Sequence, residues 1–119
     1  MDMVLYLKLN EKKWGKGDYT NSATYDISGT IYTDDKLSST ASISGFTPKL
    51  QFIDSDNYTM YSTDSGIDLS SGSGVFTIKF SVNNAPTLEG SYRMRIILED
   101  SNSRLTCVGV NGSDSMFFE

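Results

Sequence analysis

From Val75 to Val82 apolar and polar side chains alternate without interruption, with Phe76, Ile78, Phe80 and Val82 on one side and Thr77, Lys79 and Ser81 on the other. Side chains of a strand have a period of two, so this run predicts a half-buried strand with one dry and one wet face. Ser91 to Glu99 repeats the pattern, placing Tyr92, Met94, Ile96 and Leu98 inward and Arg93 and Arg95 outward. Ile97 is the apolar exception on the wet side, with no cover assigned to it. Asp100–Ser103 is a polar turn into Arg104–Val110, where Leu105, Cys107 and Gly109 point inward.

Earlier in the chain the same signals recur. Met3–Leu9 carries apolar residues on both faces, as a strand covered on both sides would. Ala23–Thr33 predicts a strand with Tyr25, Ile27 and Ile31 inward and Gly29 marking a bulge or bend. Asp34–Ser39 is a polar turn, Thr40–Ser44 a short edge strand, and Thr47–Asp54 a strand with Pro48 near its start. Asp54–Asn57 turns into a short strand, Tyr58–Tyr61, and Ile67 and Leu69 anchor the irregular stretch from Ser62 to Gly74. Asn83–Gly90 has the length of a crossing loop between sheets. Asn111–Asp114 is a tight-turn signal before a last apolar strand, Ser115–Glu119. No segment has helical period. About eight or nine short strands in this length predict an all-β, antiparallel β-sandwich.

The chain has 119 residues. That is one domain's worth, residues 1–119 as a single sandwich, able to bury roughly two-thirds of its unfolded surface without a disulfide or metal. Fifteen acidic against ten basic residues leave a formal charge of −5. An acidic surface works against nucleic-acid binding, which needs a basic footprint. There is no apolar run of membrane-spanning length and no signal-peptide pattern, which predicts a soluble chain without a membrane partner.

Candidate chemistry is sparse. The chain contains no histidine and one cysteine, which removes His-dependent nucleophilic catalysis and His- or thiolate-ligated metal sites. Cys107 falls on an inward face, where a thiol acts as a small apolar residue. Gly72–Gly74 precedes a strand rather than a helix, so it is no phosphate loop. A paired-carboxylate glycosidase site stays open, although the acids fall mainly in turns, where Asp serves backbone geometry. Asp54, Asp56 and Asn57 resemble the start of a calcium loop, but Thr59 and Ser65 stand where that loop needs Gly and Glu. A solvated turn fits better than an irregular calcium site between loops. Asn57 and Asn111 open glycosylation-type triplets, read as chance matches without a secretion signal. The lysines at 12, 13 and 16 are solvated charges rather than a phosphate site. The expectation is a non-enzymatic chain without a cofactor.

Several stretches in order carry a resemblance: Gly17-Asp18, Ile43-Ser-Gly-Phe-Thr-Pro running to Asp54, Gly74-Val-Phe-Thr-Ile78, Ala85-Pro86, and Leu88-Glu-Gly-Ser-Tyr92 running to Asp100. In this order the chain resembles the N-terminal immunoglobulin-like domain of phage upper-baseplate and related tail proteins. Ile43-Ser-Gly45 stands where that family has Leu-Thr-Gly, and Asp100–Ser103 replaces its simpler Asp-Gly turn. The resemblance implies an immunoglobulin-like form of the β-sandwich and a structural assembly domain of a virion, often trimeric, contacting copies of itself and neighbouring structural proteins.

Candidate interface residues follow from uncovered side chains. Phe117 and Phe118 are adjacent aromatics on opposite faces of one strand, so one needs a cover. Trp14 is either folded over a core end or exposed at a contact, where Trp is enriched. Arg93, Arg95 and Ile97 form a second candidate surface. The competing functions are a carbohydrate- or ligand-binding module using Trp14, Tyr19, Tyr58 and Tyr61, and an adhesin-type domain of a longer surface protein.

Overall fold

The alternating runs form strands, and the polar clusters at Asp34–Ser39, Asp54–Asn57 and Asp100–Ser103 turn the chain between them. The computed structural model describes residues 2–10, 13–14, 24–64, 66–69, 72–81 and 90–118. Among these are ten strands: β1 (Asp2–Leu9), β2 (Lys13–Trp14), β3 (Thr24–Tyr32), β4 (Thr47–Ile53), β5 (Thr59–Thr63), β6 (Ile67–Asp68), β7 (Val75–Ser81), β8 (Gly90–Glu99), β9 (Arg104–Gly109) and β10 (Ser115–Phe118). The order is β2-β10-β8-β9-β1-β3-β7-β6, with β4 on the other edge of β8 and β5 beyond it. The Tyr25, Phe80 and Val82 side chains, and the loop expected at Asn83–Gly90 up to residue 89, lie outside the described residues.

One sheet curls into a half-barrel around one core. Its inner face carries Leu5, Leu7, Ile31, Leu50, Phe52, Phe76, Met94, Ile96 and Cys107, all buried in one cluster. Registered rows run across the strands, such as Leu50–Ile96–Cys107–Leu5. Burying a Leu, Ile or Phe side chain contributes about 1.5–3 kcal/mol, so these rows hold the curl.

The sheet is mixed rather than purely antiparallel. β1 pairs antiparallel with β3 on one edge and parallel with β9 on the other, and β2 pairs parallel with β10. Period two says which way a side chain points, whereas strand direction depends on partners distant in sequence.

Four local expectations differ from the structure. β1 is covered on one face only: Leu5, Leu7 and Leu9 are buried, while Val4 is 53% exposed. Gly29 marks no bulge, because β3 pairs without a break from Thr24 to Thr30 against β7. A Cβ there would lie 2.5 Å from the Lys8 carbonyl oxygen and 2.7 Å from the Phe76 ring, so close packing explains the glycine. Thr40–Ser44 makes one bridge, Tyr32 to Thr40, rather than a strand, with Ile43 fully buried beside it. Ile97 is 3% exposed, not an open apolar residue. Lys49 and Thr106 stand opposite it in register, and long side chains cover apolar neighbours with their aliphatic stems.

The Asn-Gly turn forms, with φ of +52° at Asn111 and +77° at Gly112 and a Ser113 N–H to Val110 O bond of 2.9 Å. Two consecutive positive φ values are the geometry for which Asn-Gly is favoured. Here it does not fold a strand back on its predecessor. β9 and β10 both run antiparallel to β8 along the same edge. The segment between them is an excursion that reaches β1, where Ser113 Oγ donates to Leu7 O at 2.8 Å and Leu9 N–H donates to Ser113 O at 2.9 Å.

Candidate functional site

β8 is the strand on which the candidate residues meet. Arg93, Arg95 and Ile97 alternate with the buried Met94, Ile96 and Leu98, so all three lie on the outer face. β4 places Gln51 opposite Arg95 and Ile53 opposite Arg93. Arg95 Nε donates to Gln51 Oε1 at 2.8 Å and its Nη2 to Thr59 Oγ1 at 3.3 Å. Arg93 Nη2 donates to Asn57 Oδ1, and to the Asp54 carbonyl at 3.4 Å. The acceptors are uncharged. Among the described residues neither guanidinium meets a carboxylate, and Arg93 Nε and Nη1 donate no hydrogen bond.

The turn that holds Arg93 is itself fixed. Asp54 Oδ1 accepts from the backbone N–H of Asp56 and of Tyr58, each at 2.9 Å, and Asn57 adopts φ +66°. Asp54 is thereby committed to backbone geometry, the usual use of Asp in a turn. No group of three or more His, Cys, Asp or Glu side chains forms among the described residues.

Beside Arg93 the sheet opens. β10 pairs with β8 from Gly90 to Arg93, while β4 reaches β8 only from Arg93 to Glu99. β4 therefore stops short of Gly90–Tyr92. A groove of about 390 Å³ lies there, with Ile53 and Phe117 on its walls and Tyr92 and Met116 beneath. Met116 is buried and Tyr92 packs against the main core, so the floor is anchored. Arg93, Asp54, Ser55, Ser91 and Ser115 supply the polar lining, so a guanidinium and a carboxylate share the groove. Phe117 is 42% exposed, the only exposed large apolar residue of β10 whose side chain is described.

The structure thus brings Arg93 and Phe117 to one groove, with Arg95 and Ile97 further along the same face. Ile97 is already covered within the chain. Trp14 and Phe118 are backbone neighbours across β2 and β10; their side chains, and Tyr19, lie outside the described residues. Tyr61 packs against Phe52 with ring centroids 5.7 Å apart, whereas Tyr58 is 69% exposed. Sequence reasoning missed Ile53, Asn57 and Gln51, which become part of this surface only through the β4–β8 register. The adjacent apolar pair Phe52-Ile53 was the available signal, since only one of two successive strand residues can face the core.

Cys107 is buried on the inner face of β9, and burial pushes its thiol up to about 12. Such a thiol is not a nucleophile at neutral pH. Compared with known proteins, the chain matches no family model and no curated protein.

Proposed function

We propose that this chain is an immunoglobulin-like, non-enzymatic assembly domain of a phage tail or baseplate, acting through contacts with copies of itself and with neighbouring structural proteins in the virion. What supports the immunoglobulin-like part is strand order. β1-β3-β7-β6 on one side and β9/β10-β8-β4-β5 on the other follow the A-B-E-D and G-F-C-C′ orders of that sandwich. β1 joins the two halves. The phage part rests on the sequence resemblance.

The observation that carries the contact reading is the outer surface at the β8–β10 edge. An exposed Phe117 and two guanidiniums without carboxylate partners among the described residues share it, in a chain of net charge −5. Aromatic and Arg side chains are the residue types enriched where protein surfaces meet. Light scattering of the purified chain tests the reading: a trimer or larger ring is expected, and a clean monomer at high concentration overturns self-assembly.

A further inference from the structure

We infer that the groove beside β8 is a two-fold contact between copies of this chain, in which Arg93 of each copy meets Asp54 of the other and each Phe117 packs into the opposite groove. The inference rests on the assembly reading above and names the surface and symmetry of one self-contact. Arg93 and Asp54 both line the groove, yet their charged groups are not paired with each other. Arg93 Nη2 donates to Asn57 and to the backbone carbonyl of Asp54, not to its carboxylate. Asp54 Oδ1 is taken by the N–H groups of Asp56 and Tyr58. Among the described residues its Oδ2 accepts no hydrogen bond, and Arg93 Nε and Nη1 donate none. One cation and one anion thus stand near Phe117, the exposed aromatic wall of a cleft of about 390 Å³.

That arrangement selects the occupant. A purely acidic partner would meet the Asp54 carboxylate as well as Arg93, and a purely basic one would meet the reverse conflict. An apolar partner would bury both charges unpaired, which costs affinity. The groove fits a surface carrying both charges in the opposite order, next to an apolar side chain. The same groove on a second copy is such a surface. A two-fold axis brings a patch against itself, so that residue i meets residue j and j meets i. Arg93 then donates to the free Oδ2 of Asp54 twice in one contact, each time through a charge-assisted hydrogen bond. Phe117 and Ile53 of the two copies supply the apolar centre, over the anchored floor of Tyr92 and Met116. Asp56 on the same turn and Arg95 two residues along β8 add one charge of each sign, and Lys49 stands further off, opposite Ile97. The faces that meet are therefore of mixed sign, not two like-charged patches.

Cysteines placed at the groove of the full chain test this. Residues near a two-fold axis meet their own equivalents in the other copy. Mild oxidation of at least one of Ser55→Cys, Ser91→Cys and Ser115→Cys should therefore link two copies through a disulfide, read on a non-reducing gel. Cys107 is buried, so the unaltered chain is the uncrosslinked control. Light scattering should give an even number of copies: a dimer through this contact alone, or a hexamer where it joins two trimeric rings. Arg93→Gln, Asp54→Asn and Phe117→Ala should each weaken the pairing about tenfold or more, since each change occurs twice in the contact. The Asn side chain keeps an oxygen for the two turn N–H groups. Lys36→Gln, an equal charge change on a remote turn, should leave the pairing unaltered. No crosslink at any of the three positions, an odd number of copies, or undiminished pairing of a folded Arg93→Gln chain would each overturn the inference. The crosslinking variants keep Arg93, Asp54 and Phe117, so a charge variant that fails to fold does not remove the test. An oligomer without these crosslinks leaves the assembly reading standing and removes this one. A monomer at high concentration removes both.

Discussion

Gly29 lacks a side chain because the Phe76 ring occupies the space beside it. Leu9, Gly29 and Phe76 form one row across β1, β3 and β7, and the ring lies over the glycine. Gly29→Ala should therefore destabilise the fold by about 1–3 kcal/mol, the usual range for overpacking, because the Lys8 carbonyl is backbone and cannot rotate away. Urea denaturation followed by tryptophan fluorescence would measure it; an unchanged midpoint would sink the packing account. Cys107 makes a second residue-scale prediction. With its thiol pushed up to about 12 by burial, it should resist a disulfide reagent in the native state and react at once in denaturant. Rapid labelling of the native chain would contradict the burial. Neither behaviour was legible in full from the sequence. The inward phase of Cys107 followed from alternation, but Gly29 depended on a ring forty-seven positions away in the chain, at about the order of separation that only tertiary pairing closes.

Among the elements, the turns show how short polar clusters fix register. Asp100 Oδ1 accepts from Asn102 N–H, Ser103 N–H and Ser103 Oγ at 2.8, 2.7 and 2.9 Å, closing the β8–β9 connection. These bonds, led by that from Asn102, hold the Asp100 carboxyl below its ordinary 3.8. A carboxylate lowered on folding adds stability that is present above its ordinary value and lost as pH falls through its folded one. Asp100→Ala should thus melt below the parent chain at pH 7, with the gap narrowing in acid below about 3.8. Thermal melts at neutral pH and near pH 3 would check this, and a gap constant across both would contradict it. The strands themselves were legible because β8, β7 and β4 alternate so regularly. The excursion between β9 and β10 was not. An Asn-Gly turn ordinarily announces a hairpin. Here Gly109 lets the chain double over, since a Cβ would meet the Asp114 side chain at 2.3 Å, and Asp114 Oδ2 accepts the Gly109 N–H.

For the whole molecule, the all-β class was legible and the curl of the sheet was not. Alternation assigns faces, but it is silent on which strands meet, so the parallel pairing of β1 with β9 and the cover over Ile97 emerged only with the register. The candidate surface was legible in part: Arg93 and Phe117 share the groove, and their neighbours Ile53 and Asn57 come from the end of β4 and the turn after it, far off in sequence. If that surface mediates assembly, Phe117→Ser should lower the oligomeric state seen by light scattering while leaving the melting temperature nearly unchanged, as surface substitutions usually stay within about 0.5 kcal/mol. An unaltered oligomer would place the contact elsewhere. β1 also sets an order of events. Its partner on one edge, β3, follows it closely, but the partner on the other edge is β9, Arg104–Gly109. On the ribosome, β1 can pair with β3 early yet must wait, one edge open, until Arg104–Gly109 has emerged. An open edge is a template for pairing with other chains, so the interval before β9 arrives is when this protein most needs protection from its neighbours.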